Sequence, residues 1–152
     1  METLSASLEN YLEAIYHIEH DKKAARAKDI AERMEVNNSS VTGALRALGE
    51  KGLVNYAPYD LVTLTPDGHR AALDVVRRHE GIREFFVKIL AVDEAEANEA
   101  ACRMEHCISP EILERFAKFV EFVEDCPAGG AERIKRFGDL FREGQVSRSA
   151  QA

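Results

Sequence analysis

Residues 30–54 read IAERMEVNNSSVTGALRALGEKGLV, and this stretch decides the fold. It begins inside a short helix predicted over residues 28–34, where apolar residues recur at helical spacing. A polar turn follows, and the helical spacing then returns at Val41, Ala44, Leu45 and Leu48. The sequence therefore predicts two helices joined by a tight turn, with polar side chains capping the second.

The segments on either side of this helix pair complete a winged helix-turn-helix. Residues 5–20 are predicted to form a first helix with a serine cap. Gly52 ends the second helix of the pair, and residues 53–56 and 61–65 are predicted to be the strands of a short hairpin. Such a unit lays its second helix in the major groove of DNA. We therefore expect residues 1–70 to be a DNA-binding domain.

The rest of the chain is predicted to be helical. Four further helices are expected, over residues 69–90, 94–107, 110–124 and 131–142. They form a second domain over residues 71–143, and residues 144–152 are expected to be a disordered tail. The predicted fold class is mostly α, a winged helix-turn-helix followed by an all-helical domain.

Composition excludes several classes of protein. The chain has 152 residues, of which 45% are hydrophobic and 31% charged, so it can bury a core. Its three cysteines are an odd number without the spacing of a disulfide scaffold, which indicates reduced thiols. No apolar run approaches the roughly 18 residues of a membrane helix, and the acidic N-terminus does not resemble a signal peptide. We expect a cytoplasmic protein with no membrane partner.

The charge pattern supports a nucleic-acid partner only locally. The net charge of the chain is −7, but residues 22–51 carry three more basic than acidic residues. The candidates for phosphate contacts are Arg26, Lys28, Arg46 and Lys51, with Tyr59 at the tip of the wing. The candidates at the start of the recognition helix are Asn37, Asn38, Ser39, Ser40 and Thr42. The alternative for each cation is an ordinary solvated helix face.

The sharpest local motif is Cys102-Arg-Met-Glu105-His106. On a helix, residues three and four positions apart project from one face, so a thiolate, a carboxylate and an imidazole would converge. These are three kinds of metal ligand at the spacing that a metal site needs. The alternative is a buried cysteine, a solvated glutamate and a histidine bound to a carbonyl group, and Cys107 is expected in the core.

Further donors occur on two other predicted helices. His79 lies in the long helix, and Asn10 and Glu13 share one face of the first helix. Nitrogen and oxygen ligands are thus available from helices that could pack against residues 94–107. The alternative for His79 is a surface imidazole without a ligand role.

Several segments together resemble the diphtheria-toxin-repressor family of metal-dependent transcriptional repressors, including its manganese-transport-regulator branch. The resemblance covers residues 5–125 and is carried by ENYLEAIY (9–16), the helix pair (30–54), LTPDGHR (64–70), RRHE (77–80) and ACRMEHCIS (101–109). It implies a homodimer formed by the helices after the wing, co-repression by a divalent metal and an inverted-repeat DNA operator. The resemblance is to the two-domain form of the family, so we expect no SH3-like domain of the kind that longer members have.

The resemblance also implies roles for individual residues. Cys102, Glu105 and His106 match the regulatory metal site, and His79 matches a ligand of both branches. Asn10 stands where the iron branch has methionine and the manganese branch has aspartate, and Glu13 matches a second ligand of the manganese branch.

An ancillary metal site of the iron branch is altered in this sequence. Arg83 and Asn98 stand where that branch has a carboxylate and a histidine. The resemblance therefore implies that the ancillary site is lost or is rebuilt with Glu80, Glu99 or Glu13.

The donor set indicates which metal is bound. A cysteine thiolate favours softer ions such as Fe(II), Co(II), Ni(II) and Zn(II), whereas Mn(II) prefers oxygen-rich sites. Fe(II) is the favoured co-repressor, with a Mn(II)-responsive regulator of the same family as the alternative. A winged-helix sensor of redox state or of a small molecule would leave Glu105 and His106 unexplained. A metal hydrolase would need a general base and a cleft for an organic substrate, and the sequence indicates neither.

Overall fold

The computed structural model describes residues 4–56, 61–126, 129–130 and 132–139. The chain forms two compact units, Met1–Val76 and Arg77–Ala152. The elements are α1 (Ala6–Lys22), α2 (Ala27–Met34), α3 (Asn38–Glu50), β1 (Val54–Asn55), β2 (Thr63–Leu64), α4 (Pro66–Lys88), α5 (Glu94–Met104) and α6 (Pro110–Glu124). Residues 132–139 are also helical. The mostly α fold with an N-terminal winged helix-turn-helix is confirmed.

Apolar side chains from α1, α2, α3, the first part of α4 and the wing form the core of the first unit. The predicted stripe of α3 faces inward as expected. The fully buried side chains of this core include Leu12, Ile15, Ile30, Val41, Leu45, Leu48 and Val62. Burial of this stripe leaves the opposite, polar face of α3 exposed, which is the face that the motif presents to DNA.

The wing is a short antiparallel hairpin whose strands are shorter than the sequence predicts. Val54 pairs with Leu64 in its register. Outside this ladder, Ala25 and Val62 exchange two backbone hydrogen bonds of 3.0 and 2.8 Å. The carboxylate of Glu19 accepts a hydrogen bond of 2.9 Å from the backbone N–H of Leu64. Side-chain and backbone bonds to the first helical region therefore hold the wing in place.

Three helix ends differ from their expected positions for identifiable reasons. α1 continues to Lys22 because Lys23 adopts a left-handed conformation with φ of 68° and donates its N–H to the Glu19 carbonyl. α4 begins at Pro66, since proline suits the first turn of a helix. α5 ends at Met104, whose carbonyl accepts hydrogen bonds from the next turn.

The second unit contains the later turns of α4, together with α5 and α6. Phe85 of α4 stacks on Phe116 of α6 with ring centroids 4.2 Å apart. At the end of α4, the ammonium group of Lys88 contacts the carboxylates of Glu84 and Glu124 at 2.5 and 2.7 Å. Within the described residues, every helix is too short or too polar to cross a lipid bilayer.

Candidate metal centre and nucleic-acid interface

Glu105 is the centre of a polar cluster in the second unit. Its side chain is fully buried, in the turn that follows α5. Its Oε2 atom lies 2.7 Å from Nδ1 of His79, and its Oε1 atom lies 3.2 Å from Nε2 of His106. The second contact is not a hydrogen bond, and Oε1 accepts none from any residue that the structure describes. Two imidazoles thus flank a buried carboxylate with one unsatisfied oxygen.

The imidazole of His79 contacts Glu105 through Nδ1 and Asn98 through Nε2. Its side chain is 12% exposed, and its Nε2 atom lies 2.9 Å from Oδ1 of Asn98 on α5. The guanidinium of Arg78 donates a hydrogen bond of 2.6 Å to the backbone carbonyl of Glu105, which fixes the turn that carries the carboxylate. Neither contact has a sequence signature, because asparagine and arginine are common on exposed helix faces.

The CxxEH motif does not lie on one continuous helix. Cys102 is on α5, but the helix ends at Met104, so Glu105 and His106 belong to the following turn. Glu105 keeps helical backbone angles of −57° and −27°, which preserves its spacing from Cys102. Cys102 is exposed and Glu105 is buried, the reverse of the alternative in which neither binds metal. Cys107 is also exposed, so its predicted core position is wrong.

The other predicted ligands lie in the first unit. Asn10 and Glu13 are on α1, and both side chains are partly buried. Oε1 of Glu13 lies 3.7 Å from Nε2 of His17. The participation of Asn10 and Glu13 in metal binding stays a prediction.

The carboxylates suggested for a rebuilt ancillary site are engaged by arginines. Glu80 accepts two hydrogen bonds from Arg83, and this contact raises the pKa of the Arg83 guanidinium above its usual value. Glu99 pairs with Arg103 on the surface of α5. Cations of the protein itself therefore compensate both carboxylates.

The cluster around Glu105 fits a divalent transition metal. A buried ionised carboxylate is unfavourable unless a cation or hydrogen bonds compensate it. Imidazole and carboxylate are ligand types that Fe(II), Co(II), Ni(II) and Zn(II) share. Oε1 of Glu105 has no hydrogen-bond donor among the described residues, and this observation supports a bound cation at the cluster.

The recognition helix α3 begins at a cap built by Asn37. Its Oδ1 atom accepts hydrogen bonds from the backbone N–H of Ser40 at 2.8 Å and from the hydroxyl of Ser40 at 3.0 Å. The hydroxyl of Ser39 donates to the same oxygen at 2.6 Å. Because Oδ1 is occupied by the cap, the Nδ2 amino group is the part of Asn37 suited to contacting DNA.

Most of the predicted DNA-binding residues lie on the surface of the first unit. The hydroxyl of Thr42 donates to the carbonyl of Asn38 at 3.0 Å, so its methyl group and the lone pairs of its oxygen are left for a base contact. The predicted residue Tyr59 lies outside the described residues. The exposed candidates are Arg26, Lys28, Asn37, Asn38, Ser39, Ser40, Arg46 and Lys51.

Gly43 lies on the exposed face of α3, and no steric constraint requires a glycine there. A Cβ atom built on Gly43 meets no described atom within 4 Å. Glycine in a helix is less stable than alanine by about 1 kcal/mol. We expect Gly43→Ala to raise the free energy of unfolding by about this amount, measured by urea denaturation. A free energy equal to or below that of the wild type would contradict this expectation.

Two family models match consecutive parts of the chain. Residues 3–62 match the N-terminal DNA-binding domain of iron-dependent repressors. Residues 65–133 match the metal-binding and dimerisation domain of iron-dependent repressors. The two matches together cover most of the first unit and residues 77–133 of the second.

Individual relatives agree with these matches. The chain is 38% identical over 123 residues to an uncharacterized HTH-type transcriptional regulator of Methanocaldococcus jannaschii, covering 80% of this chain and 98% of the relative. It is 36% identical over 121 residues to the HTH-type transcriptional regulator MntR of Lysinibacillus sphaericus, covering 80% of this chain and 86% of that relative. A solved manganese-dependent transcriptional repressor in complex with manganese superposes with a TM-score of 0.70 and 33% identity. That comparison covers 76% of this chain and 53% of the other.

Proposed function

Because the chain belongs to the iron-dependent repressor family and is a metal-dependent transcriptional repressor, we propose that Fe(II) is the metal that activates it. Members of this family are DNA-binding transcriptional regulators and not enzymes, so the hydrolase alternative is excluded. The observation that supports the metal dependence is the buried Glu105 carboxylate, flanked by two imidazoles and left with one unsatisfied oxygen.

The proposed ligands in the second unit are Cys102, Glu105, His106 and His79. When bound, the ion supplies the positive charge that the Glu105 carboxylate lacks. Arg78 holds the turn that carries Glu105, so this carboxylate is oriented before the ion arrives. Asn10 and Glu13 join the proposed ligand set on the resemblance to the family alone.

The preference for Fe(II) over Mn(II) rests on Cys102. Cys102 lies on α5, and its spacing from Glu105 is that of one helical turn. A thiolate ligand favours Fe(II) relative to Mn(II), which prefers oxygen donors. The alternative is a Mn(II)-responsive repressor whose ligands include Glu105 and the histidines but not Cys102.

We propose that the active species is a homodimer on an inverted-repeat operator in the cytoplasm. Apolar side chains on α6 support self-association, since Ile112, Phe119 and Phe122 are 47, 47 and 66% exposed. The proposed DNA contacts are the exposed polar residues of α3, the cations Arg26, Lys28, Arg46 and Lys51, and Tyr59 in the wing.

The proposal is tested by anaerobic metal titration of the metal-free protein, with a DNA fragment selected from random sequence as the probe. In the Co(II)-loaded protein we expect a sulfur-to-metal charge-transfer band in the near ultraviolet, because Cys102 binds the ion. Cys102→Glu makes the site oxygen-rich and shifts the response of DNA binding from Fe(II) towards Mn(II).

Cys107→Ser is the matched control for this experiment, since Cys107 is also an exposed cysteine. The control keeps the charge-transfer band, whereas Cys102→Ser loses it. If the wild type lacks the band and Cys102→Glu leaves the order of metal responses unchanged, Cys102 is not a ligand and the Mn(II) alternative stands. A response of metal-free protein to peroxide alone would instead support a redox sensor.

A further inference from the structure

The imidazole of His79 lies between two oxygen atoms on opposite sides of its ring. Nδ1 faces Oε2 of Glu105 at 2.7 Å, and Nε2 faces Oδ1 of Asn98 at 2.9 Å. Asn98 is exposed on α5, and its side chain reaches back to a histidine of α4 that is largely buried. The amide oxygen of Asn98 thus contacts Nε2 of His79, the ring nitrogen that points away from the buried carboxylate.

This contact assigns different tasks to the two ring nitrogens. Without a metal, both ring nitrogens of His79 face acceptor oxygens, so the single hydrogen of the neutral ring can serve either Glu105 or Asn98. With a cation beside Glu105, the hydrogen belongs on Nε2, where the amide oxygen of Asn98 accepts it. A metal ligand must offer a lone pair, and the hydrogen bond made by one imidazole nitrogen determines which nitrogen is available to the metal. Nδ1, which faces Glu105, is therefore the nitrogen that can serve as ligand.

We propose that Asn98 is a positioning residue that holds the hydrogen of His79 on Nε2 and so selects Nδ1 as the metal-binding atom. The inference rests on the proposed metal site and adds to it a residue outside the ligand set. Asn98 occupies a position that is a ligand histidine in the iron branch that the sequence resembles. In this chain Asn98 contacts the proposed ligand His79 and is not itself a ligand of the metal.

The first test measures Zn(II) affinity by competition with a chelator. Asn98→Leu has a similar size but no acceptor, and we expect it to weaken binding about 10- to 100-fold, the usual effect of losing such a partner. Asn98→Asp keeps an acceptor oxygen and should bind Zn(II) about as tightly as the wild type. Glu96→Leu places the same apolar side chain at an exposed position nearby on α5 and should leave the affinity unchanged.

The second test identifies the ligand atom, which a merely structural role of Asn98 would not change. Nitrogen-15 NMR of histidine-labelled, Zn(II)-loaded protein distinguishes a metal-bound ring nitrogen from one that carries hydrogen. We expect hydrogen on Nε2 and zinc on Nδ1 of His79 in the wild type and in Asn98→Asp. In Asn98→Leu, a second set of signals with the nitrogens exchanged is expected, and the His79 signals are assigned by their loss in His79→Gln.

The outcomes separate this inference from the metal site itself. Absence of Zn(II) binding by the wild type overturns the proposed metal site. Normal binding by the wild type together with equal affinity of Asn98→Leu overturns only the role of Asn98. Coordination of zinc through Nε2 in the wild type also overturns it, because Asn98 would then not hold a hydrogen there.

Discussion

Glu105→Gln is expected to abolish the effect of metal on DNA binding while the chain stays folded. The glutamine amide carries no charge, so it neither attracts a divalent cation nor replaces a carboxylate ligand. Binding of one ligand typically changes the affinity for a second by about 5- to 150-fold. We expect the variant to lose the whole increase in DNA affinity that metal causes in the wild type. DNA affinity of the variant should then equal that of the metal-free wild type, with or without Fe(II) or Mn(II).

Folding of the variant is checked separately, because Glu105 is fully buried. The glutamine amide oxygen can keep the 2.7 Å contact that Oε2 makes with Nδ1 of His79, and Oε1 accepts no hydrogen bond from the described residues, so the change should not destabilise the metal-free protein. Thermal unfolding without metal should therefore give a Tm at least equal to that of the wild type. Glu111→Gln, an exposed change on α6, is the matched control and keeps the metal response. A normal metal response of Glu105→Gln would refute the assignment of Glu105.

Gly68→Ala is expected to destabilise the first unit by about 3 kcal/mol or more, a large effect for one methyl group. A Cβ atom on Gly68 would lie 1.8 Å from the backbone carbonyl oxygen of Leu53, which is far inside van der Waals contact. That carbonyl already accepts a hydrogen bond of 3.0 Å from Thr65, so it cannot move without breaking the connection between α4 and the wing.

Gly81→Ala is the control for this prediction, because it adds the same methyl group elsewhere in α4. There the nearest atom is the terminal Cδ1 of Leu113 at 2.8 Å, and a flexible side chain can move aside. Urea denaturation should show a much larger loss for Gly68→Ala than for Gly81→Ala. Equal losses would mean that the close approach to Leu53 does not determine stability.

Periodicity was sufficient to predict the helices but not the contacts between segments. The stripe of Val41, Leu45 and Leu48 predicted α3 because three successive turns bury the same face. The bridge between Ala25 and Val62 involves one residue from each segment, so it leaves no repeating pattern in the sequence. The wing strands are too short for alternation to define their ends.

The candidate site was predicted in its residue types but not in its burial or its supporting contacts. The spacing of Cys102, Glu105 and His106 identified the cluster, although α5 ends before Glu105. A glutamate in a charged segment is normally solvated, so sequence alone does not indicate that Glu105 is fully buried. The contact between Asn98 and His79 joins two helices through a residue type without a positional preference, and only the structure reveals it.

The cap of α3 determines the polarity of the surface that this helix offers to DNA. Both hydroxyl hydrogens, from Ser39 and Ser40, are directed at Oδ1 of Asn37. Each serine oxygen therefore presents only lone pairs outward, and phosphate oxygens, which are themselves acceptors, cannot bind to them. The complementary groups in the major groove are the exocyclic amines, N4 of cytosine and N6 of adenine. While Asn37 retains these hydrogens, the two serines favour operator positions where an amine faces the helix.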